Sequence, residues 1–416
     1  EGQLVVCEVT QPPERGRPPV GRILLVLGDK LTPSLVVEAA IHGHNLPHEF
    51  PQEVLDEATA VPLVIEPAMI GNRVDLREMP LVTIDGADAK DFDDAVYCES
   101  NRQGLRMKNR SGYRLVVAIA DVSHYVRPGT PLDDEAQKRA TSVYFPGFVV
   151  PMLPETLSNG ICSLNPKVDR MCFVCDMQVN SEGEVTQSKF YEAVMRSHAR
   201  LTYDQVWKAV GENDAESRAS IGALLPHVER LHELYGLLAM ARETRGAIEF
   251  ETSEVRFELD NRGEVTQAGM LQRNDAHKLI EECMIAANVE AARYLLATHI
   301  PAPFRVHERP PESKFADLLE FLKEFKLSLP PWSKVRPGDY TKLLKKIRDR
   351  PDATLLESVL LRSQSLAVYS PDNQGHFGLS LDAYAHFTSP IRRYPDLLVH
   401  RAIKHALSGA PAEKYT

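Results

Sequence analysis

The stretch TIDGADAKDFDDAVY, starting at Thr83, sets Asp85, Asp91, Asp93 and Asp94 close together behind the apolar run LVTI, with Asp88 also among them. Crowded carboxylates repel one another, and each is costly to desolvate without compensation. A chain that folds with this segment at a strand end therefore needs positive charge among these groups. The neighbours Leu81, Ile84, Phe92, Ala95 and Val96 point to a half-buried cluster, which a solvated acidic turn would not need.

The spacing puts Asp85 at the end of a strand and returns Asp91, Asp93 and Asp94 on the opposite side of a tight loop containing Gly86. Hard cations such as Mg²⁺ take oxygen ligands in near-octahedral geometry, with one or two carboxylates per ion. A loop of this kind suits one or two such ions. A calcium loop of the EF-hand type does not fit, because Gly follows the first Asp and Lys90 stands at the sixth position.

Two Mg²⁺ ions about 4 Å apart stabilise the attacking and leaving oxygens of a phosphoryl displacement, as in many nucleases. Such chemistry also wants a cation for the developing charge and a platform for the substrate. HFTSPIRRYPD supplies Arg392 and Arg393 between Pro390 and Pro395, where a guanidinium can fork onto phosphate oxygens. TSVYFPGFVVPMLP supplies Tyr144, Phe145 and Phe148, which serve equally well as core or as base-stacking surface.

The rest of the chain reads as an α+β protein. Residues 1–28 hold two β-like runs, QLVVCEVTQ and VGRILLVLG, which cannot make a core by themselves. Residues 29–75 read as a connector with short helical pieces. From residue 76 onward strands (LVTI, DAVYCE, RLVVAIADVSHYV) alternate with helical patterns. The longest of these run through ASIGALLPHVERLHELYGLLAMARETRG, NDAHKLIEECMIAANVEAARYLLATH and DATLLESVLLRSQSLAVY, the second capped by Asn274 or Asp275. EVRFEL and GEVTQAGML form an expected hairpin around DNRG.

No stretch approaches the roughly 18 consecutive apolar residues of a membrane span, and the N-terminus EGQLVVCEV lacks both an initiating Met and a signal-peptide layout. A piece of a longer chain is expected. Six scattered cysteines suit a reducing cytoplasm. The CFVC pair reads as one strand with Cys172 and Val174 on one face and Phe173 and Cys175 on the other, which favours packing over a metal or redox role. The net charge of −10 argues against non-specific coating of nucleic acid but leaves room for local basic patches. These are KLLKKIRDR at 342–350, read as a solvated helix face, RSHAR at 196–200, and SPIRRYPDLLVHRAIKH.

TIDGADAKDFDDAVY, YFPGFVVPMLP, ICSLNP, RNDAHKLIEECMIAAN and HFGLSLDAYAHFTSPIRRYPDLLVHR together resemble the RNB catalytic domain of the ribonuclease II superfamily, and look closest to a bacterial member. The resemblance covers residues 76–408 in the family's order. It implies an α+β RNB domain with mixed sheets and surrounding helices, preceded at 1–28 by the end of an OB-type cold-shock β-barrel. Residues 409–416 would begin a linker to an S1 domain not present here, and an earlier cold-shock region and a basic tail are expected to be missing too.

The resemblance further implies processive 3′-to-5′ hydrolysis of RNA to nucleoside 5′-monophosphates with Mg²⁺, Mn²⁺ being an alternative. Matched residue by residue, Asp85, Asp91, Asp93 and Asp94 look like the metal-site carboxylates, with Asp93 the one on which chemistry depends most. Arg392 matches the arginine on the scissile phosphate, with Arg393 beside it. Glu281 matches the acid near the terminal nucleotide, and Tyr144 and Phe250 match the aromatics that clamp the last bases. The expected partner is the 3′ end of single-stranded RNA, and the expected form is a cytoplasmic monomer with no membrane association. Two other readings compete: a catalytically lapsed RNA-binding module, which predicts a damaged acidic cluster or a missing arginine, and a phosphodiesterase acting on short oligonucleotides.

Overall fold

The computed structural model describes residues 2–29, 32–101, 112–250, 254–260, 265–271 and 273–415. At its centre lies a seven-stranded mixed sheet, in the order Ala199–Thr202, Val82–Asp85, Asp94–Asn101, Gly112–Ala120, Asp169–Val179, Val185–Arg196, Val74–Leu76. The inner pairings are antiparallel, and both edge strands join in parallel. Helices cover both faces, so the middle strands read as unbroken apolar runs such as LVVAIA.

Alternate residues of one strand feed two separate cores. Leu115, Val117 and Ile119 face the long helices Leu225–Arg245 and Asp275–Thr298, meeting Leu231, Leu234 and Leu279. Val116, Ala118 and Ala120 face the other way, toward Val54 and Ala58 of Gln52–Ala60 and Leu132 and Ala136 of Pro131–Arg139. Each large side chain buried in this way contributes about 1.5–3 kcal/mol. The segment expected as a connector thus adds core residues, and Val74–Leu76 extends the sheet.

The CFVC pair behaves as its alternation suggests. Cys172 and Val174 lie in one core and Phe173 and Cys175 in the other, all fully buried, with both cysteines free. Thiols on opposite sheet faces cannot share a metal.

Several elements depart from the sequence expectation. The helical pattern at 219–246 is broken: Ala215–Ile221 ends at Gly222, whose φ of 59° few other residues adopt. A new helix, Leu225–Arg245, then starts with Pro226 in its first turn, where the absent N–H costs nothing. RLVVAIADVSHYV stops being a strand at Ala120, because Asp121, fully buried, is pinned by Arg73 at 2.6 Å and Lys404 at 2.6 Å. After Ala353–Arg362, the chain leaves the helix and pairs Val368–Ser370 with Phe304–Val306.

Helices Glu312–Glu324, Pro337–Ile347 and Ala353–Arg362 form a further core around Phe315, Tyr340 and Leu356. Lys342, Lys345 and Lys346 stay on its exposed side, a solvated face as read from the sequence. The N-terminal strands Leu4–Gln11 and Val20–Gly28 pair as an antiparallel ribbon in which Ile23 and Leu25 remain exposed. Glu254–Leu259 pairs with Val265–Leu271 as the expected hairpin, although 261–263 of its DNRG turn lie outside the described residues.

Candidate active site

Strand Val82–Asp85 and strand Asp94–Asn101 run antiparallel with Val82 opposite Val96, so Asp85 and Asp94 end up at neighbouring strand ends. Between them the chain forms no regular structure, and its shape is imposed from outside. The Ser163 hydroxyl accepts from Phe92 N–H and donates to the Lys90 carbonyl, both at 2.9 Å. Leu164 N–H donates to the Phe92 carbonyl at 2.9 Å, and Ala120 N–H to the Asp93 carbonyl at 2.8 Å. Phe92 is thereby drawn into the core, and Asp91 and Asp93 are held on either side of it.

Asp93 is 3% exposed. Its Oδ1 accepts from Ile391 N–H at 2.9 Å. Arg392 Nε stands 3.4 Å from Oδ2 without the alignment of a hydrogen bond, so that buried oxygen has no hydrogen-bond partner. Burial raises the Asp93 carboxyl well above its ordinary range, against the pull of Arg392 and the Ile391 N–H. Burial also pushes Asp94 up to about 7, with Asp85 adding to it. Asp85 is raised by burial, opposed by its bond from Gly86 N–H at 2.7 Å. Burial disfavours the charge of Arg392, but Asp93, Tyr144, Asp94 and Asp91 outweigh it and hold the guanidinium protonated.

Tyr144, half exposed on the hairpin Val143–Phe145 and Phe148–Val150, donates its hydroxyl to Asp91 at 2.7 Å. Burial, and then the nearby charges of Asp85 and Asp94, raise the Tyr203 hydroxyl above its ordinary range, and its ring stacks on His277 with centroids 4.1 Å apart. His277 sits in the first turn of Asp275–Thr298, where Asn274 caps the helix by accepting from Ala276 N–H and His277 N–H.

The four aspartates, Arg392 and Tyr144 are thus brought together. The other candidates lie in different surroundings. Glu281 is one helical turn beyond His277, paired with Arg242 at 3.3 Å and with Arg273. Phe250 packs against the core around Phe315 and Tyr340. Arg393 turns away to Asp396 at 2.8 Å. Sequence reasoning missed Ser163, Tyr203 and His277, although ICSLNP was a visible motif whose hydroxyl is the part that acts.

Among the described residues, no three His, Cys, Asp or Glu side chains stand ready to hold an ion as placed, and Asp91 is engaged by the Tyr144 hydroxyl. The donor set nonetheless fits a hard divalent cation. It is all carboxylate oxygen, it is crowded and desolvated, and it includes a buried oxygen without a partner.

Compared with known proteins, residues 73–409 match the RNB domain and residues 1–51 the cold shock domain, the latter reaching beyond the expected 1–28. Ribonuclease R of Escherichia coli K12 is 52% identical over 407 residues, which cover 98% of this chain and 49% of that protein. The structure of Mycoplasma genitalium RNase R in complex with ribose methylated single-stranded RNA is similar with a TM-score of 0.88 at 29% identity, covering 98% of this chain and 62% of that one. Yeast Ssd1, described as a pseudonuclease, shares the fold with a TM-score of 0.74 at 19% identity, over 100% of this chain and 50% of its own. The chain spans about half the length of the curated relatives it matches. A fold shared with a pseudonuclease leaves the chemistry to be argued from the residues themselves.

Proposed function

The chain belongs to the RNB domain family, and from that premise we propose that it is the catalytic part of a processive 3′-to-5′ exoribonuclease that hydrolyses single-stranded RNA to nucleoside 5′-monophosphates. The observation that carries this reading is the buried Asp93 carboxylate, fixed by Ile391 N–H and facing Arg392 among three further carboxylates. A catalytically lapsed module would be expected to have lost one of these groups, and all are present. Asp85, Asp91, Asp93 and Asp94 are the residues that would hold Mg²⁺, with Mn²⁺ as an alternative. When bound, the ion supplies Lewis-acid polarisation of the phosphate and a more acidic water.

Arg392, half exposed and held charged, presents N–H donors to the non-bridging oxygens of the scissile phosphate. Asp93 keeps that guanidinium directed into the acidic cluster. Tyr144 offers its exposed ring to a base near the cleaved end. Phe250 and Glu281 take their roles, clamping the last bases and meeting the terminal nucleotide, from the family likeness. Arg393 acts on the shape of its own turn through Asp396. Single-stranded RNA as substrate is supported by the ligand of the Mycoplasma genitalium relative. Free cysteines suit a reducing cytoplasm, and no described helix is long and apolar enough to cross a membrane.

The test is a 5′-labelled single-stranded RNA incubated with the protein in Mg²⁺ and, in parallel, in EDTA. Conversion to a short limit product with few intermediates, in Mg²⁺ alone, is the expected result. RNA that is bound and left intact under both conditions would favour the lapsed module. Preference for dinucleotides over long RNA would favour the oligonucleotide phosphodiesterase.

A further inference from the structure

The basic run RSHAR ends at Arg200, and its side chain does something that charge counting does not suggest. Arg200 lies on the edge strand Ala199–Thr202, parallel to Val82–Asp85 and level with Thr83, two residues before Asp85. Its Nη2 reaches over the loop that follows. There it donates to the carbonyl of Ala87 and lies 3.2 Å from that of Gly86 and 3.4 Å from that of Ala89. The guanidinium carbon also sits 5.3 Å from the centre of the Phe92 ring.

These three carbonyls belong to one tight turn, closed by Ala89 N–H donating to Gly86 O at 3.2 Å. Three carbonyl dipoles converging beside an acidic cluster repel one another and the carboxylates, and a fixed positive group offsets both. Arg200 suits that place because its permanent charge brings Nη2 to all three carbonyls while its planar head lies near the Phe92 ring.

The turn is also the stretch that separates Asp85 from Asp91. Downstream it is gripped by Ser163, through the Lys90 carbonyl and Phe92 N–H. Upstream, Asp85 ends a strand in the sheet. Arg200 closes the remaining freedom between these anchors.

We propose that Arg200 is a positioning residue for the cation site: by holding the 86–89 turn it presets the separation of Asp85 from Asp91 and so raises affinity for a divalent cation, without touching the cation or the RNA. This rests on the reading of the aspartates as a cation site. Groups that orient metal ligands from behind typically change metal affinity by about 10–100-fold when removed.

The test uses Mn²⁺ alone as the probe, with free and bound ion counted by electron paramagnetic resonance on the whole chain without RNA. Arg200→Ala is expected to weaken Mn²⁺ binding by ~10-fold or more, while RNA affinity measured in EDTA stays at the wild-type value. Arg200→Lys keeps the charge on a shorter side chain that no longer lies over the Phe92 ring as a planar group, and is expected to fall between the two. It also decides the matter if the alanine variant does not fold. Wild-type Mn²⁺ affinity in the folded variants, or a loss of RNA affinity in EDTA, overturns the role given to Arg200. Asp85→Asn and Asp94→Asn separate the two claims. If they too bind Mn²⁺ like wild type, the cation site itself is wrong; if they lose it while the Arg200 variants do not, only the positioning role falls.

Discussion

Ile391 N–H donates to Asp93 Oδ1 at 2.9 Å, although the two residues are 298 positions apart in the chain. This bond joins the acidic loop to the arginine-bearing turn and helps to bring Asp93 and Arg392 face to face. The turn is itself held by Asp396, which accepts from Ser389 N–H and from Arg393 Nη2, both at 2.8 Å.

Asp93→Asn keeps an acceptor for Ile391 and removes the charge facing Arg392. RNA affinity is expected to stay near wild type while turnover falls by about 10²-fold or more, because the loss lies where transition-state charge is stabilised. Single-turnover rates together with RNA titrations in EDTA read the two effects separately. Turnover like that of the wild type would remove Asp93 from the chemistry.

Stability should depend on pH in a direction set by the raised carboxyls. Asp94 is moved from the ordinary 3.8 up to about 7 by burial and then by Asp85, and Asp93 and Asp85 move the same way. A folded-state pKa above the unfolded one gives stability that is present at low pH and lost as pH rises through the folded value. Without divalent cation, the contribution of this cluster to the melting temperature is therefore expected to fall between about pH 4 and about pH 7. Mg²⁺ should reduce that fall, since it takes over from protons as the compensating charge. Asp94→Asn in EDTA should lessen it as well, and melting curves identical to wild type across this range would contradict the assignment.

Tyr144 invites a different measurement, since its ring is half exposed while its hydroxyl meets Asp91. Stacking on one base is worth about 1–3 kcal/mol. Tyr144→Ala is expected to lengthen the RNA left at the end of digestion more than it slows the first cleavages. Tyr144→Phe keeps the ring and should give the wild-type end product. Limit products resolved on a sequencing gel decide, and an unchanged length in Tyr144→Ala would reduce the residue to a cover for Asp91.

Legibility in the sequence followed the kind of contact each residue makes. Strands buried on both faces declare themselves as runs such as LVVAIA, and the alternation of Cys172, Phe173, Val174 and Cys175 between two cores follows from strand geometry alone. The acidic cluster was legible because like charge beside apolar residues demands explanation. What stayed hidden acts through the backbone: Ile391 by its N–H, Ser163 by bridging Lys90 and Phe92, Arg200 by gathering carbonyls. Contacts to main-chain atoms impose little pattern on the partner's sequence. The pairing of Tyr203 with His277 joins distant segments, and neither residue stands out in its own surroundings.

Asp396 carries the last prediction. It is fully buried, its Oδ1 is shared by Ser389 N–H and Arg393, and its Oδ2 has no partner. Removing one member of a buried ion pair leaves the other uncompensated, a loss of about 3–5 kcal/mol. Asp396→Ala should therefore lower unfolding stability by roughly that amount, read from urea denaturation. Activity should fall further than stability alone requires, because a loosened turn moves Ile391 away from Asp93 and Arg392 with it. Asp396→Asn can still accept from Ser389 N–H, so it should retain more of the turn than alanine while leaving Arg393 without its counter-charge. Stability and turnover equal to wild type in both variants would show that the turn is shaped by its own backbone bonds, such as Arg393 N–H to Ser389 O at 3.0 Å, and that Asp396 is dispensable to it.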